Sequence, residues 1–293
     1  GGGLYLNTGA NIENSTIMNN TASETGGGIY SGTAVKIKDS TIAYNNSPIG
    51  SAIYNYNSGY DTSKISLDNV KIYNNTGGSA IAGRTMYFVN SDIYNNNAGS
   101  DSNVIDAING ILIDTNVVNN TGKYSINATV NFQDMYIQAI NRDVLIDNPN
   151  TQGLNILIPI HLFAADNHKI TIKDDSRNGI LYQYDGVVNY DGSIINDPRY
   201  IGDGLELYNG VANINAEMDA SIYQTGGVLN LNNNLADNRG LTIEGDAVAN
   251  LSSKNEGLSF LRLRSSDGAL VNIDGDKNIG TLASVYPAYN AID

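Results

Sequence analysis

Residues 14–30 read "NSTIMNNTASETGGGIY", with paired asparagines, small hydroxyl residues and three consecutive glycines set around two isoleucines. A single stretch of this kind would decide nothing, but variants of it recur down the first half of the chain. With Ile17, Ile42, Ile72, Ile93, Val117 and Ile137 as anchors, the spacings are 25, 30, 21, 24 and 20. Five positions before each anchor stands a large apolar residue: Ile12, Ile37, Leu67, Phe88, Leu112 and Phe132. Three positions before each stands an Asx residue: Asn14, Asp39, Asn69, Asn90, Asp114 and Asp134. An asparagine pair opens two or three positions after the first five anchors, as at Asn19-Asn20 and Asn45-Asn46. Constant motifs at an uneven period of roughly 20 to 30 residues indicate a repeat architecture whose connections vary in length.

The matched parts read as short strands. "VKIK" and "ISL" alternate apolar and polar residues, the period of a half-buried strand. No segment sustains an apolar stripe at helical spacing, and Asn, Gly, Thr, Ser and Tyr all disfavour helix. Short strands in a unit of this length, stacked in series, predict an all-β parallel β-solenoid, or β-helix. Leucine-rich repeats share the period but require a leucine density absent here. In a solenoid with rungs about 4.8 Å apart, equivalent positions of successive coils lie above one another. The asparagines are therefore expected to form an amide ladder at the corners, where they also tolerate left-handed backbone. Gly26-Gly27-Gly28-Ile29-Tyr30 is echoed by Gly1-Gly2-Gly3-Leu4-Tyr5, Gly50-Ser51-Ala52-Ile53-Tyr54 and Gly78-Ser79-Ala80-Ile81, and reads as the turn between faces.

The pairing of "GGGIY" with "STIAYNN" resembles the repeats of polymorphic outer-membrane proteins and related autotransporter passengers, over roughly residues 1 to 140. The family's tetrapeptide usually carries Phe where this chain has Ile17, Ile42, Ile72 and Ile93. The resemblance implies a right-handed parallel β-helix exported to a bacterial surface, often for adhesion.

Residues 141 to 170 interrupt the pattern with Pro149, Pro159 and both histidines, His161 and His168, and read as continued β structure with an irregular rung or insertion. From about Thr171 to residue 293 strands return in a looser register, each closed by Gly, Asn or Asp. "TGGVLNLNNNLADNRGLTIEGDAVANLSS" is similar to the lower segments of autotransporter passengers. About twelve coils would make a rod of roughly 55 Å.

Composition narrows the partners. The chain has 293 residues, 30 acidic and 16 basic, for a net charge of -14, so nucleic acid and anionic membrane are poor partners. It has no cysteine, which removes disulfides, zinc–thiolate sites and thiol catalysis, and fits an exported chain. There is no apolar run of about 18 residues to span a bilayer as a helix. The chain opens on Gly1-Gly2-Gly3, with neither Met nor a signal peptide, and reads as a piece of a longer protein.

Three functional readings follow. The first is a non-catalytic adhesin, secreted or held at the bacterial outer membrane, that binds a host or bacterial surface protein or glycan. Its contacts are expected in the longest connection, at Asn55, Tyr56, Tyr60 and Asp61. The second is a carbohydrate-active β-helix enzyme, a lyase or hydrolase, which needs clustered carboxylates and a basic residue. Asp191, Asp197, Arg199 and Asp203 supply that composition, as would any polar turn around Pro198. The third is a structural spacer. No cofactor is expected, with one candidate Ca²⁺ loop in "DDSRNGILYQYD". There Asp174, Ser176, Asn178, Gly179 and Asp185 fall at EF-hand-like positions, although the flanks are strand-like and Asn178-Gly179 is itself a hairpin signal. His161 and His168 have no third ligand patterned around them. The 19 tyrosines could furnish a carbohydrate or protein contact surface, but Tyr30 and Tyr54, and likewise Tyr44, Tyr73 and Tyr94, recur at repeat positions, as stacked flanks would.

Overall fold

The computed structural model describes residues 1–55, 64–128, 134–177, 179–195, 203–236, 239–252, 257–264, 268–275 and 278–284. Alternation decides each strand. In Val35–Lys38, Val35 and Ile37 point inward while Lys36 and Lys38 face solvent. One coil on, Val35 lies against Ile65 and Ile37 against Leu67; another coil on come Met86 and Phe88. Among the described residues three long parallel sheets result, of thirteen, twelve and ten strands, with a two-stranded parallel pair, Asn46–Ser47 and Thr76–Gly77, beside them. The broad sheet begins at Ala10–Glu13, the middle sheet at Thr16–Met18 and the short sheet at Leu4–Leu6, and each coil visits them in the order broad, middle, short. The protein is thus a parallel β-solenoid, close to the twelve coils expected. Met218–Asp219 is the last strand of the short sheet among the described residues, with a single parallel bridge on to Leu235, while the broad and middle sheets continue.

The inward side chains form continuous rows along the axis. Ile17, Ile42, Ile72, Ile93 and Val117 stack in the middle sheet, and Ile146, Ile172, Tyr190, Ile214, Leu231 and Leu251 extend the row. Each such buried aliphatic side chain contributes about 1.5–3 kcal/mol. The sixth anchor, Ile137, is corrected by this register. It pairs with Leu112 in the broad sheet, and Ile146 takes the place after Val117. Ile137 mimicked an anchor because inward positions of the broad sheet, such as Ile37, Leu67 and Leu112, carry the same branched apolar residues. Residues 141–170 remain in step, because Val144–Asp147, Leu154–Ile156, Ile160–Ala164 and Lys169–Ile172 join the middle, short, broad and middle sheets in turn.

Between broad and middle sheets one residue adopts left-handed backbone in most coils, the corner from Ala139 to Val144 being an exception. Asn14, Asp39, Asn69, Asn90 and Asp114 do so with φ of 47° to 55°; later Gly186, Gly210, Gly227, Gly245 and Gly268 hold the same corner. The looser register of the second half thus goes with a change of corner residue, Asx to Gly, and with register shifts at Leu162/Phe163 and Asp203/Leu205.

A second corner follows the middle sheet. Asn19, Tyr44, Asn74, Asn95 and Asn119 are left-handed there. The residue after each enters a buried amide ladder: Asn20, Asn45, Asn75, Asn96, Asn120 and Asn148 each donate from Nδ2 to the next side chain at 2.9–3.0 Å, ending on Asp174. The pair in the second coil is thus Tyr44-Asn45 in register, not Asn45-Asn46. In the second half a different ladder forms outside the middle sheet, where Asn213, Asn230, Asn250 and Asn272 each donate to the preceding member of a row begun by Asn189, at 2.7–2.8 Å.

Tyrosines meet along the flanks, stacked in part: Tyr30 and Tyr54 lie 5.7 Å apart but tilted by 44°. Tyr5 and Tyr30 lie 4.8 Å apart at 7°, and Tyr73 and Tyr94 4.9 Å apart at 12°. Tyr44, displaced to the corner, meets Tyr73 edge-on instead.

Candidate functional site

The outer face of the broad sheet carries the densest arrangement of chemistry-bearing side chains. The register sets Tyr136 beside His161, His161 beside Tyr182, Tyr182 beside Glu206 and Glu206 beside Tyr223, all outward positions of consecutive coils. A bulge between Leu162 and Phe163 leaves Tyr184 without a strand partner and turns it out beside His161. Bulges re-aim side chains in this way.

The rings form one stack. The His161 imidazole lies 4.7 Å from the Tyr136 ring, 5.2 Å from Tyr182 and 5.5 Å from Tyr184, all within 17° of parallel. Tyr184 continues to Tyr208 at 5.2 Å and 5°. Because each ring covers its neighbour's face, solvent meets a ridge of ring edges and hydroxyls, with Tyr184 43% and Tyr208 38% exposed.

Polar partners hold the ridge. His161 Nδ1 lies 2.9 Å from the Tyr184 hydroxyl, and Nε2 lies 3.1 Å from Asp134 Oδ2. The Tyr208 hydroxyl donates to Glu206 at 2.7 Å, and that bond, with partial burial, raises its pKa. The Tyr223 hydroxyl donates to Glu244, which also meets Arg264 at 3.2 Å. Burial and the Glu244 carboxylate push Tyr223 up to about 12. Burial likewise raises Tyr182 and Tyr184. These phenols stay protonated at neutral pH. Raised phenol pKa values are the opposite of nucleophilic activation, so the ridge offers hydrogen bonds and apolar edges rather than a phenolate.

The other candidate residues fall elsewhere. Asn55 is buried, and its side-chain amide donates to the Thr33 carbonyl, so it serves the turn and not the surface. Tyr56, Tyr60 and Asp61 lie outside the described residues. Asp191 is exposed beside the middle sheet and accepts from Asn215 at 2.7 Å, whereas the backbone of Asp203 opens a strand of the broad sheet; Asp197 and Arg199 lie outside the described residues. Asp174 is buried at the end of the amide ladder, Ser176 is in the short sheet and Asp185 ends a broad-sheet strand, where its carboxylate accepts from the Gly186 amide at 2.8 Å. Asn178 lies outside the described residues. The described members of the Ca²⁺ loop pattern are thus spread over a corner and two sheets.

Asp174 has a testable consequence. Burial raises its carboxyl pKa above the ordinary range. A raised folded-state value means that its contribution to stability is full below the ordinary carboxylate pKa and is lost as pH rises through the folded one. Asp174→Asn is therefore expected to stabilise the protein by about 1 kcal/mol at neutral pH. The gain should shrink as pH falls through the raised folded value and be gone by about 4, the ordinary carboxylate value. Denaturant melts of both proteins across that range check this, and an equal difference at every pH would refute it.

Asp114 behaves oppositely. Burial pushes its pKa up, but donors from Asn141, Ile140 and Arg142 outweigh it and hold the carboxyl low, so its contribution is present above the ordinary range and lost as pH falls.

Sequence reasoning left His161 without a role. Its signal was spacing: Tyr136, His161, Tyr182 and Tyr208 are separated by 25, 21 and 26 residues, which are coil lengths. Comparison with family models, curated proteins and solved structures finds no match.

Proposed function

We propose that this chain is a non-catalytic binding segment of a secreted bacterial surface protein, of the autotransporter-passenger type, that adheres to a glycan or protein on a host or neighbouring cell. The aromatic ridge from Tyr136 to Tyr208 carries the reading. Tyrosines combine large contact area with hydrogen bonding and little conformational entropy to lose, and are enriched wherever proteins bind partners. Stacking on a stiff sheet fixes these rings before any ligand arrives, which lowers the ordering cost of binding. Right-handed winding, the hand that strands of L-residues impose on parallel crossovers, belongs to the same reading.

The test is retention of purified protein on immobilised oligosaccharides and on intact epithelial and bacterial cells, alongside a Tyr184→Ala/Tyr208→Ala variant. Both positions are exposed, so the variant is expected to melt within about 1 kcal/mol of the parent. It should lose retention about tenfold or more, at roughly 1 kcal/mol for each truncated contact. Unchanged retention would remove the ridge from the argument. Product release from a polysaccharide would favour the enzyme reading instead.

A further inference from the structure

Resting on that reading, we infer that the same face takes an acidic polysaccharide, with Lys36 and Lys64 as the site for its carboxylate or sulfate groups. A shallow groove of about 540 Å³ crosses the first coils of the broad sheet, lined by Lys36, Lys38, Lys64 and Tyr87 with the acids Glu13 and Asp68. A second groove of about 400 Å³ shares Lys64 and Tyr87 and reaches Asp134 and Tyr136, where the ridge begins. Grooves and ridge are one track along the axis. From the row of Lys36 to that of Glu206 and Tyr208 it crosses seven rungs, about 34 Å at 4.8 Å per rung.

Charge is graded along this track. Lys38 meets Asp68 at 3.8 Å, but among the described residues no carboxylate lies within ion-pair distance of Lys36 or Lys64. The Lys64 ammonium sits over the Tyr87 ring instead, 4.7 Å from its centroid. Lys36 is exposed in a row between Asn11 and Ser66, with no acid on either side. In a chain of net charge -14, two lysines on one flat face that meet no described carboxylate form a local site for an anion. The far end is the reverse: Asp134, Glu206 and the phenols bind hydroxyl groups and repel anions. A linear glycan bearing acid groups on some of its sugars offers both chemistries in one chain. An ammonium acts as a point charge without the geometry of a bidentate fork, so Lys36 and Lys64 accept carboxylate and sulfate alike.

The experiment measures retention of the whole chain on a polyuronate, a sulfated polysaccharide and a neutral polysaccharide, at low and high salt. The proteins are the parent, Lys36→Glu/Lys64→Glu, Lys36→Arg/Lys64→Arg and Tyr184→Ala/Tyr208→Ala. The expected result is salt-sensitive retention on one or both acidic polymers, reduced about tenfold or more by the glutamate pair, kept by the arginine pair. Retention on the neutral polymer should depend on the tyrosines and not on the lysines. Absence of acidic-polymer retention by the parent at low salt, or equal retention by the glutamate pair, overturns the inference. In either case, tyrosine-dependent retention on the neutral polymer would leave the adhesive reading standing, and its loss would sink that reading separately. The polyuronate and sulfated arms identify which acid is bound. Melting curves confirm that the exposed substitutions leave the fold intact.

Discussion

Asn96→Ala is expected to lower folding stability by about 3–5 kcal/mol, because it cuts the buried ladder in its middle. The Asn96 side chain accepts from both the backbone amide and Nδ2 of Asn75, at 3.0 and 2.9 Å, and donates to Asn120 Oδ1 at 3.0 Å. Its Nδ2 also serves the Ile72 carbonyl at 3.0 Å. Alanine removes all of these at a site 1% exposed, where the stranded donors and acceptors cannot all turn to water. Each orphaned group costs about 1–3 kcal/mol, and the remaining backbone bonds recover part of the sum. Asn230→Ala is the matched control. It breaks an amide ladder of equal regularity on the outer face, where the half-buried partners still reach water, so the loss should stay under about 1 kcal/mol. Equilibrium denaturation of the three proteins gives the answer. Similar losses at Asn96 and Asn230 would show that ladder geometry matters and burial does not.

Gly186→Ala is expected to cost about 2–4 kcal/mol. Gly186 holds the broad-to-middle corner at φ 77°, and a left-handed backbone costs a residue with a Cβ about 1–2 kcal/mol. A Cβ there would also stand 2.0 Å from the Ala164 carbonyl oxygen of the coil below, and a backbone oxygen in a sheet cannot swing aside. Asn90→Gly makes the converse change at the equivalent corner of an earlier coil, where φ is 49°. The left-handed strain is relieved while chain entropy in the unfolded state rises, and the two offset to within about 0.5 kcal/mol. Thermal melts of both variants test the corner assignment. A tolerated Gly186→Ala would mean that this coil can separate from its neighbour.

The same corner shows how far the sequence could be read. Asn14, Asp39, Asn69, Asn90 and Asp114 advertise their conformation, since Asx is the side chain that most readily accepts left-handed backbone. Gly186, Gly210 and Gly227 do the same work but look like any loop glycine. Ile137 had the correct chemistry for an anchor and the wrong face. Period and alternation identify an inward residue without saying which of three sheets it enters. Asn148, in "IDNPN", joins the ladder without belonging to a recognisable pair, because only the stacking of Val117 on Ile146 brings it under Asn120.

The site was less legible than the fold for the same reason. Tyr136, His161, Tyr184 and Tyr208 are far apart in sequence, and what joins them is the register of their coils together with a bulge that no local pattern announces. Asp174 and Asp185 looked close because eleven positions separate them in the chain, yet those positions carry the backbone from a corner across the short sheet to the broad one.

What the sequence by itself determined is the solenoid: the strand period, the branched core, the asparagine and glycine corners and the acidic, cysteine-free surface. Each follows from forces acting within one coil or between identical positions of adjacent coils, so each repeat restates it. Which outward side chains meet was decided only by the tertiary structure. A stack of rings depends on the exact length of every intervening connection, and one residue more or less turns a neighbour to the opposite face of its strand.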